Sequence, residues 1–136
     1  MLLAALMLCG CASVIQYVPK IENQGDFSYC PADKARIYVI RPAAIWGAAM
    51  HYAVRDNDQD IGLTGPQSYL CWQRDHGQVH IWSRGFNEYT CNFYAAAGQT
   101  YYLLQYLDTL NGEYGGLSLI SREEALKYLK SCHPAK

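Results

Sequence analysis

Charge is what this sequence has least of. Only 17% of its 136 residues are Asp, Glu, Lys or Arg, and 11 basic side chains against 12 acidic ones leave a net charge of -1. A protein that tracks a phosphate backbone needs a Lys/Arg excess gathered on one face, so nucleic acid is excluded as a partner. The sequence has no C-x-x-C pair, no G-x-S-x-G nucleophile elbow, no internal repeat and no low-complexity tract. No apolar run reaches the roughly 20 residues a membrane-spanning helix requires. What is there instead is 51% hydrophobic residues, 12 tyrosines and 6 cysteines. That apolar and aromatic content excludes disorder, and the length fits one small domain. So many cysteines in a short chain suit an oxidising compartment better than a reducing cytosol.

Met1 to Ile15 is uncharged and apolar, broken only by Cys9, Gly10, Cys11 and Ser13. It is too short to span a bilayer and reads as a processed targeting segment. Within it, Leu8-Cys9-Gly10-Cys11 resembles the lipobox of bacterial lipoproteins: an aliphatic residue at -3, a small one at -1, then the cysteine whose thiol receives a diacylglyceryl group. Cys9 does not fit, because Leu8 before it is too bulky for the small-residue position. The resemblance implies a lipoprotein signal peptide over 1–10, lipidation at Cys11 and a lipidated N-terminus with its tether over 11–29, followed by the folded domain over 30–136. Each buried methylene of an acyl chain such as palmitate adds about 0.8 kcal/mol of membrane affinity. Ala12 rather than Asp follows the lipidated cysteine, which by the sorting rule of such lipoproteins implies the outer membrane, on its periplasmic face.

With Cys9 removed and Cys11 lipidated, Cys30, Cys71, Cys91 and Cys132 remain, and four cysteines allow three connectivities. The expected pairing is Cys71 with Cys91, in neighbouring strand-like segments, and Cys30 with Cys132, joining the two ends of the domain. In the chain-entropy account the shorter loop contributes about 3 kcal/mol and the longer up to about 4.7. A four-cysteine metal site would need closely spaced pairs, and the gaps are long and irregular, so neither a metal nor another cofactor is expected.

Asp33 to Arg41 is rich in β-branched and aromatic residues and stops at Pro42, which predicts a strand. The segment from Pro42 to Ala49, around Trp46, reads as a loop. Further strands are predicted over His51–Asp56, Asp60–Leu63, Ser68–Arg74, Gln78–Ser83, Glu88–Ala95, Thr100–Tyr106 and Tyr114–Ile120, joined by polar or glycine-containing turns. Gly77 and Gly98 fall where tight connections need positive φ, and Gly62 where a bulge or close backbone approach is expected. One helix follows: Ser121-Arg122-Glu123-Glu124 matches a capping box, and Ala125, Leu126, Tyr128 and Leu129 form its apolar face. The expected fold is mainly β, a small antiparallel β-sandwich with one C-terminal α-helix.

Four stretches, in order, carry a resemblance: Ala35-Arg36-Ile37-Tyr38-Val39-Ile40-Arg41-Pro42, Asp60-Ile61-Gly62-Leu63, Gly77-Gln78-Val79-His80, and Ala97-Gly98-Gln99-Thr100-Tyr101-Tyr102-Leu103. Together they resemble the bacterial lipoprotein family of unknown function numbered 2846. The resemblance implies a small exported β-sandwich without an established activity, and it assigns no catalytic residue. The cysteines of the domain and the loop around Trp46 lie outside that pattern.

The remaining polar groups point to little chemistry. Asp56, Asp58 and Asp60 alternate in the manner of a calcium loop, but Ile61 replaces the glycine after the third acid and no Glu follows before Glu88, so a solvated hairpin tip is the better reading. His76 is read as part of a turn, and His51, His80 and His133 do not build a dedicated metal or general-base site on one element. Glu123 and Glu124 are explained by the helix start. Tyrosine and tryptophan remain: Trp72, Trp82, Tyr101, Tyr102 and Tyr106 alternate along strands and make a candidate binding face. The expectation is a non-enzymatic envelope lipoprotein that binds another envelope component, protein or glycan, through that face. The alternatives are an envelope hydrolase or inhibitor on the same scaffold, and a factor displayed on the cell surface.

Overall fold

The computed structural model describes residues 16–17, 30–43, 50–85, 87–106 and 115–135. The lipobox with Cys11 and the loop around Trp46 lie outside the described residues. The strands are β1 (Gln16–Tyr17), β2 (Ala35–Arg41), β3 (Tyr52–Asp56), β4 (Gln59–Thr64), β5 (Ser68–Arg74), β6 (Gly77–Arg84), β7 (Glu88–Ala95), β8 (Thr100–Tyr106), β9 (Gly116–Ile120) and β10 (His133–Pro134), with the helix α1 (Arg122–Leu129) between the last two. They form two sheets. The first runs β1-β5-β2-β8-β9, with β10 also on β5, and the second runs β4-β3-β6-β7. The fold is mainly β, a sandwich with one C-terminal helix.

The burial pattern of β2 explains how the layers stack. All seven of its residues are buried, so its two faces must both be covered, and the unbroken apolar run Ile37-Tyr38-Val39-Ile40 is the sequence of a central strand. Ala35, Ile37 and Val39 point into the space between the sheets, where they meet Val54, Leu70, Trp72, Val79, Ile81, Ala95, Leu103 and Leu117. Tyr38 and Ile40 point the other way, and with Tyr69, Cys71 and Tyr102 they pack under Ala125 and Leu129 of α1. The first sheet is therefore the middle layer, with α1 on one side and the second sheet on the other. The second sheet alternates as a half-buried sheet should: in β6, Val79, Ile81 and Ser83 are buried while Gln78, His80 and Arg84 are exposed.

Not every pair is antiparallel, as the sequence suggested. β2 and β8 run parallel, with Tyr38 opposite Tyr102, and β10 runs parallel to β5. The β2–β8 pair is possible because the whole second sheet intervenes between them in the chain, supplying the long crossover that parallel neighbours need. β1 and β10, each two residues long, share the free edge of β5 at opposite ends. They carry too little pattern to be read from sequence. The turn chemistry is as expected: Asn57 and Asp58 both take positive φ, 46° and 67°, in the two-residue hairpin between β3 and β4. Gly98 has φ 77° and its N–H donates to the Lys34 carbonyl at 2.7 Å. The Ser121 hydroxyl accepts from the Glu124 N–H at 3.1 Å, capping α1.

The expected disulfides are not formed: Cys30, Cys71, Cys91 and Cys132 are all free thiols. Cys71 lies in the core beneath α1, whereas Cys91 packs against the core between the sheets, so the middle sheet separates them. The Cys30 thiol donates to the Lys34 carbonyl at 3.1 Å and the Cys132 thiol to the Arg41 carbonyl at 3.6 Å, at opposite ends of β2. A seven-residue strand is about 23 Å long, and a disulfide needs Cα atoms within about 7 Å. Burial pushes the Cys71 thiol up to about 12 and the Cys132 thiol to about 11, and raises Cys30 and Cys91 as well. These thiols are protonated packing groups rather than poised nucleophiles.

Candidate functional site

The outer face of the second sheet is built by the residues that β-strand alternation turns away from the core. Across it, Leu63 of β4 sits opposite Ala53 of β3, Arg55 opposite Trp82 of β6, His80 opposite Asn92 of β7, and Gln78 opposite Tyr94. The Arg55 guanidinium lies over the Trp82 ring, 4.9 Å from its centroid, and its Nε donates to Asp60 Oδ1 at 2.7 Å. Asp60, Arg55 and Trp82 thus form one row over three strands, a cation–π stack held in place by a carboxylate. Beside it the His80 ring Nδ1 is hydrogen-bonded to Asn92 Oδ1. That bond orients the imidazole and leaves Nε2 for a ligand. Leu63 and Tyr94 are 51% and 57% exposed, large values for apolar side chains. The surface combines oriented polar groups with aromatic and aliphatic area, the composition of an interface.

Of the five aromatic residues read as one face, only Trp82 lies on it. Trp72 is fully buried between the sheets, where its Nε1–H donates to Asp56 Oδ2 at 2.8 Å. Tyr101 is half-buried against Phe93, ring centroids 5.1 Å apart, and its hydroxyl accepts from the Ala96 N–H. Tyr102 stacks on Tyr38 at 5.2 Å in the core beneath α1. Tyr106 is 40% exposed, but on β8 of the other sheet. β5 is buried on both faces and β8 nearly so, and which sheet and which side each strand presents is a tertiary fact.

The alternating acids also part company. Asp60 is exposed and paired with Arg55, Asp58 lies in the turn, and Asp56 is fully buried. Asp56 Oδ1 accepts from Arg74 Nη1 at 2.5 Å, and Arg74 donates further to the carbonyls of Asp75 and Gln78. Burial pushes the Asp56 carboxyl up, against the Trp72 N–H and the Arg74 guanidinium, which pull it down. At the other end of the sandwich a second buried set runs from Thr64 through Gln105 to Ser83, at 2.5 and 2.6 Å, with Arg41 donating to the Thr64 carbonyl. His51 and His133, far apart in sequence, line one cleft of about 350 Å³ at that end, together with Ser68. Among the described residues no group of three or more His, Cys, Asp and Glu side chains is placed to hold a metal.

The family described as "Protein of unknown function (DUF2846)" matches residues 31–116, more than half of the chain. The chain belongs to this family. Its match spans β2 to the first residue of β9, which takes in the whole second sheet and β2, β5 and β8 of the first, but not β1, α1 or β10. A protein from Eubacterium rectale solved by NMR is similar at 17% identity over 67% of this chain and 92% of that one, with a TM-score of 0.46. No curated protein matches. The stretches that carried the family resemblance are β2, β4, the start of β6, and the turn leading into β8. They are scaffold: of the outer face of the second sheet they include only Asp60, Leu63, Gln78 and His80. The family assignment therefore supports the fold, and the half-buried Trp82 and exposed Tyr94 are this chain's own evidence for a surface.

Proposed function

We propose that this protein is a non-enzymatic lipoprotein module, anchored through Cys11 at the periplasmic face of the outer membrane, that binds another envelope component through the outer face of its second sheet. The observation that carries the reading is the asymmetry of the layers. The outer side of the first sheet is buried under α1, whereas Trp82, Tyr94 and Leu63 stand on a sheet face that no described residue covers. An ordered row of Asp60, Arg55 and Trp82 beside the oriented His80 offers both stacking area and directed hydrogen bonds, which suits a protein or a glycan equally.

The test is site-specific photocrosslinking in cells. A crosslinker at Tyr94 should give a discrete adduct that disappears with Trp82→Ala and Arg55→Ala, while one at Lys130, on the far side of the molecule, should give none. No adduct, or one indifferent to the two substitutions, would overturn the reading, and turnover of generic ester or peptide substrates by the purified protein without an adduct would favour the hydrolase alternative.

A further inference from the structure

The segment following the lipidation motif was expected to be a free tether, yet its residues Gln16 and Tyr17 are paired with β5, opposite Gln73 and Trp72. Only four residues separate Cys11 from Gln16, five Cα-to-Cα steps in all. Fully extended, that leash reaches roughly 18 Å. The pairing is antiparallel, so the chain comes onto the β5 edge from the Arg74 end of the strand. At that same end lie the turns around Asn57, Asp75 and Gly98 and the turn closed by the Lys34 N–H to the Pro31 carbonyl. The opposite end carries the turn from Gly65 to Gln67 and the cleft lined by His51 and His133, a further strand length of about 23 Å away.

We infer that the sandwich stands end-on against the lipid surface, with the Asn57, Asp75 and Gly98 turns facing the membrane and the His51–His133 cleft facing away. This rests on lipidation at Cys11 as proposed above. The short leash, not charge, sets the orientation: among the described residues the membrane-facing turns carry Asp33, Asp58 and Asp75 against Lys34 and His76, with Lys34 already paired to Asp75 at 2.5 Å. That end attracts anionic headgroups no better than neutral ones. The strands then stand steeply to the bilayer, so the outer face of the second sheet is presented sideways. A partner on that face is met at the membrane surface rather than across the periplasm.

The experiment uses the full lipidated protein in phosphatidylcholine nanodiscs doped with a gadolinium-chelating lipid, read by amide NMR. The inference predicts loss of the signals of Asp75 to Gly77 and Ala96 to Gln99, with those of Gly65 to Ser68 and His51 retained. Inserting ten Gly/Ser residues between Cys11 and Gln16 should restore the lost signals while the protein stays on the disc. Equal broadening at both ends, the reverse gradient, or no response to the insertion overturns the orientation while leaving the anchor standing. A protein that does not co-purify with the discs overturns the anchor, and the orientation with it.

Discussion

Removing the buried carboxylate of Asp56 should be among the costliest single changes in this fold. Asp56 and Arg74 are 0% and 2% exposed and 2.5 Å apart, so neither charge has recourse to water. In Asp56→Ala the guanidinium keeps its bonds to the Asp75 and Gln78 carbonyls but loses its counter-ion, and the Trp72 N–H loses its acceptor. Breaking one side of such a pair costs about 3–5 kcal/mol, against a total stability of about 5–15. With a urea slope of about 2 kcal/mol per M, the unfolding midpoint should fall by roughly 1.5–2.5 M. The complementary variant, Arg74→Met, has a signature of its own. Burial already pushes the Asp56 carboxyl up, and loss of the guanidinium removes one of the groups holding it down. The folded state then binds the proton more tightly than the unfolded chain, so stability falls as pH rises from the ordinary carboxylate range through the raised value. Arg74→Met should therefore lose more stability at about pH 7 than at about pH 5. The double variant Asp56→Leu, Arg74→Met leaves no charge buried and should recover most of the loss of either single change. A midpoint shift for Asp56→Ala worth less than about 1 kcal/mol, or an Arg74→Met penalty independent of pH, would refute this account of the interior.

Three further outcomes are expected. Alkylation of the domain in denaturant without reductant should add four adducts by intact mass, at Cys30, Cys71, Cys91 and Cys132, and the native protein should react slowly; a mass corresponding to two bridges would contradict the geometry. Gly85→Ala would place a Cβ 1.9 Å from a ring carbon of the buried Tyr52, and should destabilise by about 1–3 kcal/mol in thermal or urea unfolding; an unchanged midpoint would show that the ring has room to move. The Lys34 bond holds the Asp75 carboxyl below its usual range and raises Lys34 in turn, so the pair's contribution is present at neutral pH. It is lost as pH falls through the lowered Asp75 value and again as pH rises through the raised Lys34 value, so the wild-type advantage over Asp75→Asn should peak between these limits and vanish at both.

Most strands were legible because their signals are local. The β-branched run that ends at Pro42, the Asn57-Asp58 hairpin, the glycines at 77 and 98 and the Ser121 cap each determine structure within a few residues. What was not legible depends on distance in sequence. Trp72 and Trp82 have the same side-chain chemistry, yet one strand belongs to the middle sheet, closed on both faces, and the other to the outer sheet, closed on one. The four thiols suggested bridges by number, but Cys71, opposite Tyr38, packs beneath α1 while Cys91 faces the space between the sheets, on the other side of the middle sheet. Asp56 read as the foot of a solvated hairpin because nothing nearby in sequence announces Arg74 as its partner. The same limit hid the candidate surface: Arg55, Trp82, His80 and Asn92 come from three strands, and each alone is an ordinary residue on an exposed face.

Metabolic labelling with a tagged palmitate, combined with membrane fractionation, tests the proposed role most directly. The wild-type protein should carry the label and sediment with the outer membrane, and Cys11→Ser should lose the label and appear in the soluble periplasmic fraction. Unlabelled wild type, or Cys11→Ser that remains labelled and membrane-bound, would contradict the anchor on which the proposed function rests.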